Sequence, residues 1–192
     1  MSDPELDDLI GYRHNPTKLT RHQLDRLVAS GEYERIAPGL FLRAGSTDDT
    51  TAAWMAVAAR KPQATLCLLT ALSLHDLTDE IPTSSDIALP RGTHPVKVLY
   101  APITWHGFAA DTFALGRGEY ALPGGVSIGL YSPERTIIDV FRLRHDHGAD
   151  LAIGALKRWL RGRGNSPSRL LAMAAKFPDA APSVRTALEV LL

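Results

Sequence analysis

Residues 19–43 read LTRHQLDRLVASGEYERIAPGLFLR, and they carry the signals of a helix followed by a tight hairpin. Thr20 is a favoured N-cap residue with Gln23 three positions later, the pattern of a capping box. Gly31 stands just past the last apolar position, where a helix commonly ends. The apolar residues of the helix recur on one inward face: Leu24, Leu27 and Val28.

The hairpin is predicted immediately after this helix, as strands at about 33–36 and 40–43 joined by Ala37-Pro38-Gly39. Small polar residues and two Asp follow at 45–51, a composition typical of a boundary. We therefore expect a small domain at 1–45 and a second domain at 46–192.

The second domain mixes helical and strand patterns, so the predicted fold class is α+β. Alternating apolar residues between 86 and 132 predict three to five mostly antiparallel strands, around Ile87 and Leu89, around Val96 and Val98, and at Val126, Ile128 and Leu130. Ser132-Pro133-Glu134 is a strong helix start. Helices are predicted at 48–60, 65–77, from 132 to near 148, and at about 150–161, 167–176 and 183–191.

Composition excludes several classes of protein. The 192 residues are 45% hydrophobic and 22% charged, the balance of a globular chain with a core. A single cysteine, Cys67, excludes an internal disulfide and a cysteine-based zinc site. The acidic start MSDPELDDLI is unlike a secretory leader, and no apolar run approaches a membrane span. We expect a cytoplasmic protein with no membrane contact and no cofactor.

The formal net charge is zero, but the charges are unevenly spread. Residues 13–43 hold six basic and three acidic side chains, residues 44–133 hold five basic and eight acidic, and residues 134–192 hold ten basic and six acidic. Because nucleic-acid binding depends on local patches, the basic stretch near the start is the first candidate for a site.

The helix and hairpin predict DNA binding, since a helix fits the major groove and a two-stranded wing can straddle phosphates. Base contacts are expected near the helix N-terminus, and Lys18 and the wing arginines are expected to contact phosphates. The alternative is a solvated amphipathic helix with a hairpin that only packs. The predicted DNA-binding residues are Arg13, Lys18, Thr20, Arg21, His22, Arg26, Arg35 and Arg43.

Three other clusters have structural explanations that we prefer. His75, Asp76, Asp79 and Glu80 suggest metal or acid-base chemistry but suit the polar end of a buried helix. His145 and His147 lack a third ligand nearby, so no metal site is predicted. Asp139 can pair with Arg135 and Arg142 at helical spacing, which indicates an ion-pair network.

The usual catalytic motifs are missing: G-x-S-x-G, H-E-x-x-H and the P-loop. No lysine follows an acid by two positions, as in many metal-dependent nucleases. We therefore expect no enzymatic activity.

The chain resembles the AbiEi family of antitoxins from type IV toxin-antitoxin systems from about residue 19 to its end. The resemblance lies in residues 19–43, in LLTALSLHDLTDEIP and DIALPRGTHP, and in SIGLYSPERTIIDVFRLRHDHGADLAIGALKRWL. Such proteins begin with a winged helix-turn-helix that normally has three helices before the wing. Here only DPELDDLIGYR precedes the proposed recognition helix.

The resemblance implies a transcriptional autorepressor that binds inverted repeats in double-stranded promoter DNA. It also implies that the protein counteracts a nucleotidyltransferase-like toxin without a stable complex. Thr20, Arg21, His22 and Arg26 match the recognition helix, and Arg35 and Arg43 match the wing. The C-terminal family motif, whose implied role is structural or antitoxic, matches Ser132, Pro133, Glu134, Arg135, Thr136 and Asp139.

Two alternatives remain open at the level of sequence. The first is an interaction module that neutralises a partner protein through its C-terminal domain. The second is a nuclease-related protein, because related winged-helix arrangements can precede a restriction-endonuclease-type domain. Metal-dependent cleavage of DNA that is lost on mutation of Asp76 or Asp86 would identify the second alternative.

Overall fold

The computed structural model describes residues 8–11 and 18–192, and the fold is α+β, as predicted. The chain divides into two units. The first unit takes in the described residues up to Ala64 together with Val96–Pro102 and Tyr120–Ile128. The second unit comprises Thr65–Pro95, Ile103–Glu119 and Gly129–Leu192.

The described residues of the first unit include two α-helices and a sheet of three strands. Its elements are β1 (Leu9–Gly11), α1 (Arg21–Ala29), β2 (Tyr33–Ala37), β3 (Leu40–Arg43) and α2 (Asp49–Arg60). The strand order is β1-β3-β2, and both pairings are antiparallel. The predicted helix and hairpin are therefore confirmed, whereas β1 was not predicted.

The core of the first unit is small. Ile10, Tyr33 and Phe41 are buried on one face of the sheet, and the half-buried apolar side chains before and on α1 pack against them. Those side chains are Leu19, Leu24, Leu27 and Val28. Since α1 has no fully buried residue, it lies on the sheet surface with its polar face outward.

The boundary between the units differs from the predicted ranges 1–45 and 46–192. Helix α2, with Asp48 as its N-cap, falls in the first unit because it packs against β2 and β3. Two later segments of the chain also belong to that unit, and Trp54 of α2 makes an edge-to-face contact with Tyr120 of one of them.

The remaining strands and helices follow along the chain from Thr65 onward. The strands are β4 (Thr65–Leu66), β5 (Ser85–Pro90), β6 (Ile103–Phe108), β7 (Arg117–Ala121) and β8 (Ser127–Tyr131). The helices are α3 (Leu68–Leu74), α4 (Pro133–Arg142), α5 (Arg144–His147), α6 (Ala149–Arg161), α7 (Pro167–Ala174) and α8 (Ala181–Leu191). Helices α4, α6, α7 and α8 lie close to their predicted positions.

The second sheet has the order β6-β5-β4-β8-β7, and the prediction of mostly antiparallel strands is wrong for it. Strand β4 is antiparallel to β5 but parallel to β8, and β5 is parallel to β6. Residues 91–102 connect β5 to β6, and about a dozen residues is the length that a parallel connection requires. The predicted strand around Val96 and Val98 lies in this irregular connection.

The predicted helix at 65–77 is also partly wrong, because its first residues form β4. Thr65 and Leu66 pair with β5 on one side and β8 on the other, and the helix begins only after Cys67. A short, uniformly apolar run gives no periodicity to distinguish a central strand from a buried helix. No helix in the described ranges is long and apolar enough to cross a bilayer.

Candidate nucleic-acid interface

The start of α1 is fixed by a capping box. The backbone amide of Gln23 donates to Oγ1 of Thr20 at 3.3 Å, and the backbone amide of Thr20 donates to Oε1 of Gln23 at 2.8 Å. Both bonds satisfy amides that the first turn leaves without helical partners. Thr20 therefore acts on helix stability, in addition to any contact it makes with DNA.

Four basic residues among the predicted DNA-binding set have side chains that lie exposed just before α1 and along its outer face. We call Lys18, Arg21, His22 and Arg26 the basic face of α1. Arg21 is 94% exposed, and its Nε lies 4.0 Å from Oδ2 of Asp25 one turn later. At this exposure the ion pair is weak, so the guanidinium remains available to an anionic ligand.

The hairpin β2–β3 presents Arg35 beside the basic face. Arg35 is exposed, and its Cζ lies 6.0 Å from the centre of the Phe41 ring. Its backbone carbonyl accepts a hydrogen bond from the hydroxyl of Tyr100, which supports β2 from within the first unit. Arg21 and Arg35 line the same cleft of about 330 Å³ between α1 and the sheet.

Arg43 differs from Arg35 although both are predicted wing residues. Its side chain is 35% exposed, with Nε 3.0 Å from Oδ1 of Asp8 and Nη1 3.9 Å from Oε1 of Glu32. The guanidinium also lies over the ring of Tyr33 at 5.5 Å. Two carboxylates compensate this charge, so Arg43 has less charge to offer a phosphate than Arg35. Predicted residue Arg13 lies outside the described residues.

The C-terminal motif forms the start of α4. Oγ of Ser132 accepts from the backbone amide of Arg135 at 3.2 Å, Pro133 occupies the first turn and Glu134 supplies its acid. Thr136 is buried and donates to the carbonyl of Tyr131 at 3.4 Å. These contacts are those of a helix cap and its anchoring.

Arg135 and Asp139 are fully buried at the centre of the motif. Nε of Arg135 donates to Oδ2 of Asp139 at 2.9 Å, and Nη1 donates to the carbonyls of Thr112 and Leu115 at 2.6 and 2.7 Å. Nη2 of Arg142 lies 3.1 Å from the other carboxylate oxygen of Asp139. The predicted ion-pair network is confirmed.

Aromatic rings surround these cations. Cζ of Arg135 lies 4.3 Å from the ring centre of Tyr131 and 4.5 Å from that of Phe177, and Cζ of Arg142 lies 4.6 Å from that of Phe108. Burial raises the pKa of Asp139 despite the opposing effect of both guanidinium groups. The arrangement ties the loop before β7 to α4, and it presents neither Arg135 nor Asp139 to a ligand.

Sequence reasoning missed a second polar pair in the same unit. Nε2 of His106 on β6 lies 2.8 Å from Oδ1 of Asp86 on β5, and both side chains are largely buried. The two residues are twenty positions apart, and only the parallel pairing of their strands brings them together. No local spacing signals such a contact.

His75 at the end of α3 and Asp79 just after it contact different parts of the chain. Nε2 of His75 is 2.7 Å from the carbonyl oxygen of Tyr131, and Asp79 forms an ion pair with Arg158. That pairing lowers the pKa of Asp79. In the described ranges 8–11 and 18–192, no three His, Cys, Asp or Glu side chains lie together in a way that could hold a metal ion.

Comparison with known proteins shows distant structural similarity to solved structures. No family model matches the chain, and no curated protein matches it. The fold is similar to the crystal structure of the RV2827C protein from Mycobacterium tuberculosis, at 16% identity and a TM-score of 0.43. The similarity covers 88% of this chain and 67% of that one.

Proposed function

We propose that this chain is a cytoplasmic AbiEi-type antitoxin that acts as a DNA-binding autorepressor and has no enzymatic activity of its own. In this proposal α1 is the recognition helix and β2–β3 the wing of an abbreviated winged helix-turn-helix. The target is double-stranded promoter DNA with inverted repeats. The functional partner is a nucleotidyltransferase-like toxin, opposed without a stable complex.

The observation that carries the proposal is the outward orientation of the basic face of α1 next to exposed Arg35. Helix α1 has nine residues, which is about 14 Å of helix, and a major groove about 12 Å wide admits the diameter of an α-helix, about 10–12 Å with side chains. Arg21 and His22 stand in its first turn, where recognition helices contact base edges. Arg35 across the cleft is suited to a neighbouring phosphate.

In the second unit, the C-terminal motif bears on the proposal because its residues stabilise the fold. These residues cap α4 and fill the core, so the motif maintains the fold that presents any antitoxic surface. We therefore propose that substitutions in the motif abolish antitoxin function by unfolding this unit.

The test is fluorescence anisotropy of the full chain with a labelled duplex from the region upstream of its gene. Each of Arg21→Ala and Arg26→Ala should weaken specific binding by about 1–3 kcal/mol if its side chain reads a base. The matched control is Arg161→Ala with Arg185→Ala, two exposed arginines of α6 and α8. Equal affinity of the α1 variants and wild type would overturn the assignment.

The interaction alternative is separated by a second measurement. Co-purification of the chain with the product of the neighbouring gene, combined with no shift of promoter DNA, would favour a protein-neutralising module. A promoter shift without co-purification, together with rescue of cells that express the toxin, would support the proposed mechanism.

A further inference from the structure

An apolar groove lies between α6 and α8 in the second unit, with a volume of about 600 Å³. Its walls include Ile153 of α6 and Ala187, Val190 and Leu191 of α8. Val190 is 78% exposed and lies beside the other apolar groups of the groove, and such a grouped apolar surface is more informative than a single exposed side chain. The groove therefore offers apolar surface that another element can bury.

The charged groups that line this groove are basic. Arg144 and Lys157 are the charged residues among the described side chains of its lining. Lys157 is exposed on α6, whereas Arg144 is half-buried and donates to the carbonyl of Phe141 through Nη1. Glu189 and Asp150 lie on the same two helices, but they do not line the groove.

This charge distribution selects among possible occupants. A second copy docked by two-fold symmetry would bring together two copies of a groove whose charged lining residues, Arg144 and Lys157, are both basic, so charge complementarity favours a different occupant. An occupant with an apolar stripe flanked by carboxylates would bury the stripe and pair with both cations. Two neighbouring helices with an apolar groove between them are the usual receptor for such an amphipathic helix.

We propose that the α6–α8 groove binds an amphipathic helix of a partner protein whose apolar stripe is flanked by Asp or Glu. The site is independent of the proposed DNA contacts, because every residue that lines it lies in the second unit. Binding here provides the chain with a protein partner whether or not α1 reads DNA.

The probe is a labelled peptide of about 20 residues, long enough for measurable helicity, with Leu at positions i, i+3, i+4 and i+7. One version has Glu beside the Leu stripe and the other has Lys at the same places. The Glu peptide should bind the full chain about tenfold more tightly than the Lys peptide, and added salt should reduce the difference.

Charge reversal within the groove sharpens the test. Lys157→Glu should weaken the Glu peptide several-fold and strengthen the Lys peptide, whereas Arg161→Glu on the same helix should change neither. Val190→Glu, at an exposed position, should weaken the Glu peptide without altering thermal unfolding. Arg144→Glu, checked for folding by circular dichroism, should act in the same direction as Lys157→Glu.

Three outcomes would overturn the proposal. One is equal binding of the two peptides, or binding of neither. The second is an equal effect of Lys157→Glu and Arg161→Glu on peptide affinity. That result would indicate a long-range electrostatic effect of the protein surface and no specific contact in the groove. The third is sedimentation of the wild-type chain as a dimer that Val190→Glu converts to a monomer, which would assign the groove to a second copy.

Discussion

Arginine is used in opposite ways in the two units. In the first unit Arg21 is 94% exposed with one weak ion pair, and in the second unit Arg135 is fully buried with three hydrogen bonds. A buried guanidinium requires a carboxylate and hydrogen-bond acceptors that offset its desolvation, whereas an exposed guanidinium is hydrated. The same residue type is therefore evidence for a binding surface in one place and for a core in the other.

The largest expected effect concerns the buried arginine. Arg135→Leu leaves Asp139 in the core with Arg142 as its remaining ion-pair partner, so the free energy of unfolding should fall by about 3–5 kcal/mol. Urea unfolding of the second unit measures the loss. Arg26→Ala should change stability by less than about 0.5 kcal/mol. A similar small loss for both would break the contrast between the two units.

A second prediction concerns the loop that receives Arg135. Gly116 has φ +69°, and a Cβ there would lie 2.7 Å from Cβ of Arg135. Gly116→Ala should therefore cost about 1–3 kcal/mol through backbone strain and the clash. Gly45 of the first unit, with φ +73° and open space around it, is the matched control, and Gly45→Ala should cost less. Equal losses would show that packing around Arg135 adds nothing to the strain.

The third prediction separates helix stability from DNA contact in the first unit. Thr20→Ala removes the capping-box acceptor and should lower the free energy of unfolding by about 1 kcal/mol. Thr20→Ser keeps the acceptor and should retain most of the stability. Thermal unfolding followed by circular dichroism compares the two variants. If Thr20→Ser loses as much as Thr20→Ala, the cap is not what stabilises α1.

The smallest expected effect distinguishes the two wing arginines. Arg35→Ala should reduce the log-log salt slope of DNA binding by about 0.9 if the side chain neutralises one phosphate. Arg43→Ala should reduce it by less, because Asp8 and Glu32 already compensate its charge. Affinity measured between low and moderate salt gives both slopes. A larger change for Arg43 would mean that DNA displaces its carboxylate partners.

The elements that sequence predicts well are those with local signals. The capping box at Thr20, the Pro38-Gly39 turn and the Ser132-Pro133 helix start each act within a few residues, and the structure confirms all three elements. The i, i+4 spacing of Arg135 and Asp139 likewise predicted their pairing. It did not predict that the pair is buried.

The misplaced elements depend on partners distant in the chain. Strand β4 is a strand because β5 and β8 lie on either side of it, and nothing within residues 65–77 encodes that pairing. The pair of Asp86 and His106 depends on a parallel register for the same reason. For the proposed interface, sequence predicted the exposed cations of α1 but not the carboxylates around Arg43.

The discontinuous first unit has a consequence for synthesis on the ribosome. A chain emerges from its N-terminus, yet this unit includes Tyr120–Ile128, where Gly124 packs so closely on Leu9 that a Cβ would lie 2.7 Å from the Cβ of Leu9. The nascent α1 and hairpin must therefore wait for about half of the following polypeptide before their unit is complete. Translation that stalls before residue 120 would release a chain without these contacts, which is a substrate for chaperones and proteases.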